Sequence, residues 1–129
     1  MKTIVRLMLV FMLMIASAPV YAAEARQMWK CQMNEEVSEE EVEAMLGEWL
    51  KAARTMKGGE RLELYAFFPV AVNDIGEYDL WVVLHAPSFV EWGQFWDAYK
   101  GSPADEAESR ANEKFICPDS ALWESVKIK

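Results

Sequence analysis

Apolar and polar residues alternate along four stretches of the chain and recur at three- and four-residue steps along two others, which predicts strands and helices in turn. From Trp29 to Met33, Trp29, Cys31 and Met33 fall on one side and Met28, Lys30 and Gln32 on the other, a first strand. A helix follows. Ser38 and Glu41 have capping-box spacing, and Val37 and Val42 that of a hydrophobic staple. Val42, Met45, Leu46, Trp49, Leu50, Ala53 and Met56 then form one apolar face. Glu39, Glu40 and Glu41 lie at the positive end of the dipole, Lys51, Arg54 and Lys57 near the negative end, and Gly58-Gly59 stops the helix.

From Arg61 to Val70 alternation returns, Leu62, Leu64, Ala66 and Phe68 against Glu63, Tyr65 and Phe67, with Pro69 marking an edge strand or a strand end. After a turn at Asn73, Asp74 and Gly76, the run YDLWVVLHA from Tyr78 to Ala86 is the most β-prone in the chain. It sets Leu80, Val82 and Leu84 on one face and Asp79, Trp81, Val83 and His85 on the other. Ser88 and Glu91 predict a second capping box. In the helix behind it, Phe89, Trp92, Phe95, Trp96 and Tyr99 fit an arc of about 120° at about 100° per residue. A stripe of that width is what a helix needs to pack on a sheet, so the rings are read as structural rather than as a ligand platform. Ser102-Pro103 opens a short helix whose Ala104, Ala107 and Ala111 make only a thin apolar face, and it is expected at the surface. Leu122 to Ile128 alternates as a last strand.

The order strand, helix, strand, strand, helix, short helix, strand predicts a ferredoxin-like α+β fold: β-α-β-β-α-β, a four-stranded antiparallel sheet with both main helices on one face. The first and last strands are then antiparallel neighbours, which brings Cys117 towards Cys31. The other face of the sheet is left bare, with Phe67, Trp81, Val83 and Trp123 too apolar to stay in water as one patch. A second copy is the expected cover, giving a homodimer.

The ends of the chain add a compartment. Residues 1–22 have the layout of a cleavable signal peptide: Lys2 and Arg6, an apolar run from Leu7 to Ala16, and Val20-Tyr21-Ala22 before a cut after Ala22. The apolar run is shorter than the roughly 20 residues that cross a bilayer. Residues 23–129 then form one α+β domain, periplasmic or secreted, with no membrane contact once the leader is gone. Export makes a Cys31–Cys117 disulfide the expected state of the two cysteines. The leader takes two of the 13 basic residues and leaves 11 against 21 acids, a net charge of −10. Such a surface repels phosphate backbones and anionic lipids, so no nucleic-acid partner is expected. Nor is a metal: there is no C-x-x-C, and His85 is the only histidine.

On this element order, and on YDLWVVLHAPSFVEWGQFWDAY as a strand followed by an aromatic helix, the chain resembles the dimeric α+β barrel proteins, among them the antibiotic-biosynthesis monooxygenase, EthD-like and NIPSNAP-like families. Its CPDSALWES ending is also similar to that of small exported bacterial proteins of unknown function. The resemblance implies two sheets closing face to face. Three functions follow as expectations. The first is binding of a small apolar or aromatic ligand, without a cofactor, between Tyr65, Asp79, Trp81 and Trp123. The second is a cofactor-independent monooxygenase-like enzyme with His85 as acid or base, imidazole being the side chain suited to proton transfer near neutral pH. A haem-binding variant would use the same His85 as axial ligand. The third is an interaction module without a ligand.

Overall fold

In the computed structural model, which describes residues 23–74 and 76–128, the first strand starts five residues before the alternation at Trp29 and runs as β1 from Glu24–Met33. Position in the sheet explains the extra length. β1 is hydrogen-bonded on both sides, to β3 (Leu80–Ala86) and to β4 (Phe115–Ser125), so Arg26 and Gln27 are held extended by neighbours rather than by their own propensity. The short β2 (Glu63–Phe67) completes an antiparallel sheet of order β2-β3-β1-β4. The leader and its cleavage site lie outside the described residues.

α1 (Glu39–Ala53) begins as its cap predicts: the Ser38 hydroxyl accepts from the Glu41 N–H, and the Glu41 carboxylate accepts from the Ser38 N–H at 2.9 Å. It ends at Ala53, before Met56, because the chain must turn towards β2. Gly58 makes that turn possible. Its φ is +81°, and a Cβ there would sit 2.5 Å from the Glu91 carbonyl oxygen and 2.7 Å from the Phe95 nitrogen, so the turn packs directly on the backbone of the next main helix. The Arg54 guanidinium spans the turn, donating twice to the Leu62 carbonyl at 3.0 and 2.8 Å.

α2 (Phe89–Asp97) is capped by Ser88, whose hydroxyl accepts from the Glu91 N–H. The Glu91 carboxylate, which a capping box would aim at the Ser88 backbone, instead accepts from the Ser88 hydroxyl and from both arms of Arg61 at 2.9 Å. α3 (Pro103–Ala111) departs from expectation. Ala104, Ala107 and Ala111 are buried, and the helix packs along α1. Alanine is small, so a thin apolar stripe lets two helices approach closely and can still be a core face.

β4 also starts earlier than its alternation suggested, at Phe115 rather than Leu122. Pro118 sits inside it, tolerated because β4 is an edge strand. The register changes there: Lys30 pairs with Asp119 but Gln32 with Ile116, so Cys117 and Pro118 together oppose Cys31 in a bulge. The Cys31–Cys117 disulfide closes across it.

The helices cover one face of the sheet, where the core falls into two clusters. One gathers Phe95, Leu62, Leu84, Trp49 and Ala53; the other Val42, Leu80, Val82, Cys31 and Phe115. Trp29 and Leu64 are partly buried and touch both.

Candidate functional site

The two clusters do not meet everywhere. Between them the helices and the sheet leave an open-sided cavity of about 630 Å³, within the range of small-molecule sites. Trp29 and Leu64 on the sheet, Trp49 on α1, Trp96 and Tyr99 at the end of α2, and Phe115 on β4 line it. The rings form a connected wall: Trp29 and Trp96 have centroids 6.2 Å apart, Trp96 and Tyr99 4.6 Å, and Tyr99 and Trp49 6.4 Å. Cys117 and Pro118 also line it, so the disulfide fixes part of the cavity wall.

Few polar groups enter this wall. The Tyr99 hydroxyl accepts from the Trp49 indole N–H at 3.0 Å and donates to the Glu108 carboxylate. Burial, and then the bond to Glu108, raise the Tyr99 phenol well above the ordinary tyrosine range, so it stays protonated. Gln27 accepts from the Trp92 indole N–H at 3.0 Å. The indole N–H of Trp96 has no acceptor, and its nitrogen is buried with almost no surface open to the cavity.

The opposite face of the sheet carries the residues singled out in the sequence, in rows set by the register. Phe67 pairs with Trp81, which pairs with Lys30; Tyr65 with Val83, which pairs with Met28; and Glu63 with His85, which pairs with Arg26, itself opposite Trp123. Tyr65, Phe67, Trp81 and Trp123 are exposed, at 45%, 54%, 38% and 57%. His85 lies between two carboxylates. Its Nδ1 is 3.4 Å from Glu63, and its Nε2 is 3.1 Å from Glu24, close enough for an ion pair but out of line for a hydrogen bond. The Tyr65 hydroxyl donates to the same Glu63 oxygen at 2.6 Å; this bond first, and the one to His85 second, lower the Glu63 carboxyl below its ordinary range.

The structure therefore brings Tyr65 and His85 together through Glu63, with Trp123 one strand beyond Arg26. Asp79 stands apart. It precedes β3 while His85 is near its end, and its carboxylate accepts the Met33 N–H at 2.6 Å, closing the end of β1. Strand alternation placed these side chains on one face but could not place them at one point along it. None of Tyr65, Asp79, Trp81, His85 and Trp123 lines the cavity.

The aromatic stripe of α2 divides as well. Phe95 is fully buried in the core, Phe89 is largely exposed, and Trp96 and Tyr99 are the cavity wall. One sequence signal pointed that way. Trp29 and Trp49 sit on the inner faces of a strand and a helix, opposite a stripe that already holds two tryptophans and a tyrosine.

No protein-family model matches the chain, and no curated protein sequence is similar to it. Solved structures are similar in fold. A protein from Arabidopsis thaliana superposes with a TM-score of 0.54 at 7% identity, over 83% of this chain and 96% of that one. The chain has the ferredoxin-like fold. A protein provisionally assigned as a chlorite dismutase has a TM-score of 0.52 at 14% identity over 80% of this chain; the match spans 44% of that longer chain. A dimeric ferredoxin-like protein of unknown function from Thermobifida fusca gives 0.48 at 16% identity, over 82% and 92% of the two chains.

Among the described residues, no helix is long and apolar enough to cross a membrane, and no three His, Cys, Asp or Glu side chains are grouped to hold a metal ion. The disulfide fits an oxidising compartment.

Proposed function

We propose that this is an exported, homodimeric binding protein, cut after Ala22, that holds a small and largely apolar molecule between its helices and its sheet. The observation that carries this reading is the cavity of about 630 Å³ walled by Trp29, Trp49, Trp96 and Tyr99. Aromatic walls with a few convergent polar groups are the usual makeup of a small-molecule site. A chain selected only for stability would gain by filling that space, since each unfilled volume forfeits dispersion contacts.

The open face is, in this reading, the contact between subunits. Tyr65, Phe67, Trp81 and Trp123 spread over every strand but β1 and have no cover from their own helices. Their expected role as a ligand pocket passes to the other face. Native mass spectrometry of protein purified from its own host tests both halves at once: a dimer mass with an added small molecule is expected. A monomer at high micromolar concentration would remove the subunit contact, and a dimer without added mass after gentle isolation would count against the cavity as a filled site.

A second reading, acid–base chemistry at His85, is favoured by its place between Glu24 and Glu63 with the Tyr65 hydroxyl on the same carboxylate. It predicts that His85→Ala abolishes turnover of a substrate without weakening its binding.

A further inference from the structure

The charges around the cavity restrict what it can hold. Its lining includes no lysine, arginine or histidine, and Glu108 is its one carboxylate. Tyr99 adds no second negative charge, because its hydroxyl donates to Glu108 and keeps its proton. An anionic ligand would thus lose hydration, meet a carboxylate and find no counter-charge. A cation meets the opposite situation. The faces of indole and phenol rings carry negative potential; Trp29, Trp96, Tyr99 and Trp49 form a connected wall, and Glu108, exposed at its edge, accepts from Tyr99. Beyond the cavity, the acidic chain as a whole draws cations inward.

Resting on the reading of the cavity as the ligand site, we propose that it selects an organic cation: an apolar amine or quaternary ammonium compound whose charged end lies among the aromatic rings near Glu108. The selection does not use the open face, so it holds for one protomer or two.

The test compares three probes built on one naphthalene ring that bear, at the same position, a trimethylammonium group, the neutral tert-butyl group of nearly the same shape, or a carboxylate. Titration calorimetry against wild-type protein and E108Q is the measurement. Glutamine keeps an oxygen to accept from Tyr99 while removing the charge, and an unchanged melting temperature would verify that the fold is intact. The cationic probe is expected to bind at least tenfold more tightly than its neutral isostere, the carboxylate most weakly, and E108Q to erase most of the cation's advantage while leaving the neutral probe's affinity unchanged. Equal binding of cation and neutral probe, strongest binding of the carboxylate, or a cation preference that survives in E108Q would each overturn the selection while leaving the cavity as a site. If none of the three binds at millimolar concentration, the cavity reading fails and this inference with it.

Discussion

The two faces of this sheet are made from the same strands by alternate residues, yet they have met their need for cover in different ways. On one face the chain supplies its own cover, and Phe95, Leu62 and Leu84 are fully buried there under α1 and α2. On the other, Tyr65, Phe67, Trp81 and Trp123 remain exposed beside an ionic cluster of Glu24, Glu63, Arg26 and His85. The comparison teaches that apolar character alone does not tell a covered face from a bare one. What separates them is whether the same chain has an element left to lay over the face.

The largest effect should come from the covered face. Replacing Cys31 and Cys117 together by serine frees an 86-residue loop in the unfolded state, a loss of roughly 4–5 kcal/mol on the loop-entropy view. Urea unfolding of the double variant would measure it; a loss below 1 kcal/mol would mean that strand pairing alone holds β4. Phe95→Ala should cost about 3–5 kcal/mol, as removal of a fully buried ring does. Trp96→Ala should cost less, since part of its surface already faces the cavity. Equal losses at the two positions would show the cavity to be collapsed in solution and erase the division of the stripe.

Trp81→Lys probes the bare face. A charge placed among Phe67, Tyr65 and their copies has no partner in a dimer, so sedimentation should show association at least tenfold weaker than wild type, about 1.4 kcal/mol, with the protomer still folded. Unfolding of the protomer would instead make this face part of the core. The smallest effect is electrostatic. Tyr99 has a folded-state pKa raised by burial and by Glu108, so its contribution is complete below the ordinary phenol value of about 10 and is lost as pH rises towards the folded value. Tyr99→Phe should flatten that alkaline decline in melting temperature. Tyr65 and Tyr78 are raised as well, but both remain in the variant, so the difference isolates Tyr99.

Much of this could be read from the order of residues. The element order, the Ser38 cap, the antiparallel pairing of β1 with β4 and the approach of the two cysteines follow from alternation, helical spacing and crossover handedness. The starts of β1 and β4 did not follow, since hydrogen bonds from neighbours hold Arg26 and Asp119 in strands that their own propensities would not choose. The burial of α3 was hidden for a related reason: three alanines reveal a close contact only once α1 lies beside them. The cavity was least legible. Periodicity assigns a side chain to a face, whereas an empty volume is the difference between the shapes of rings on three separate elements, and no single stretch contains it.

The bulge at Cys117 and Pro118 acts as a frame shift in three dimensions. Counting from Phe115 in steps of two would send residues 119, 121 and 123 under the helices, but the extra residue inverts the phase, so that Asp119, Ala121 and Trp123 align with Lys30, Met28 and Arg26 on the bare side. One additional position thus decides which half of the strand's side chains is offered to the outside. Paired without the bulge, the same strand would have offered Leu122 to the outside and turned Trp123 under the helices; deleting Pro118 would instead straighten the strand and leave Asp119, Ala121 and Trp123 opposite Lys30, Met28 and Arg26.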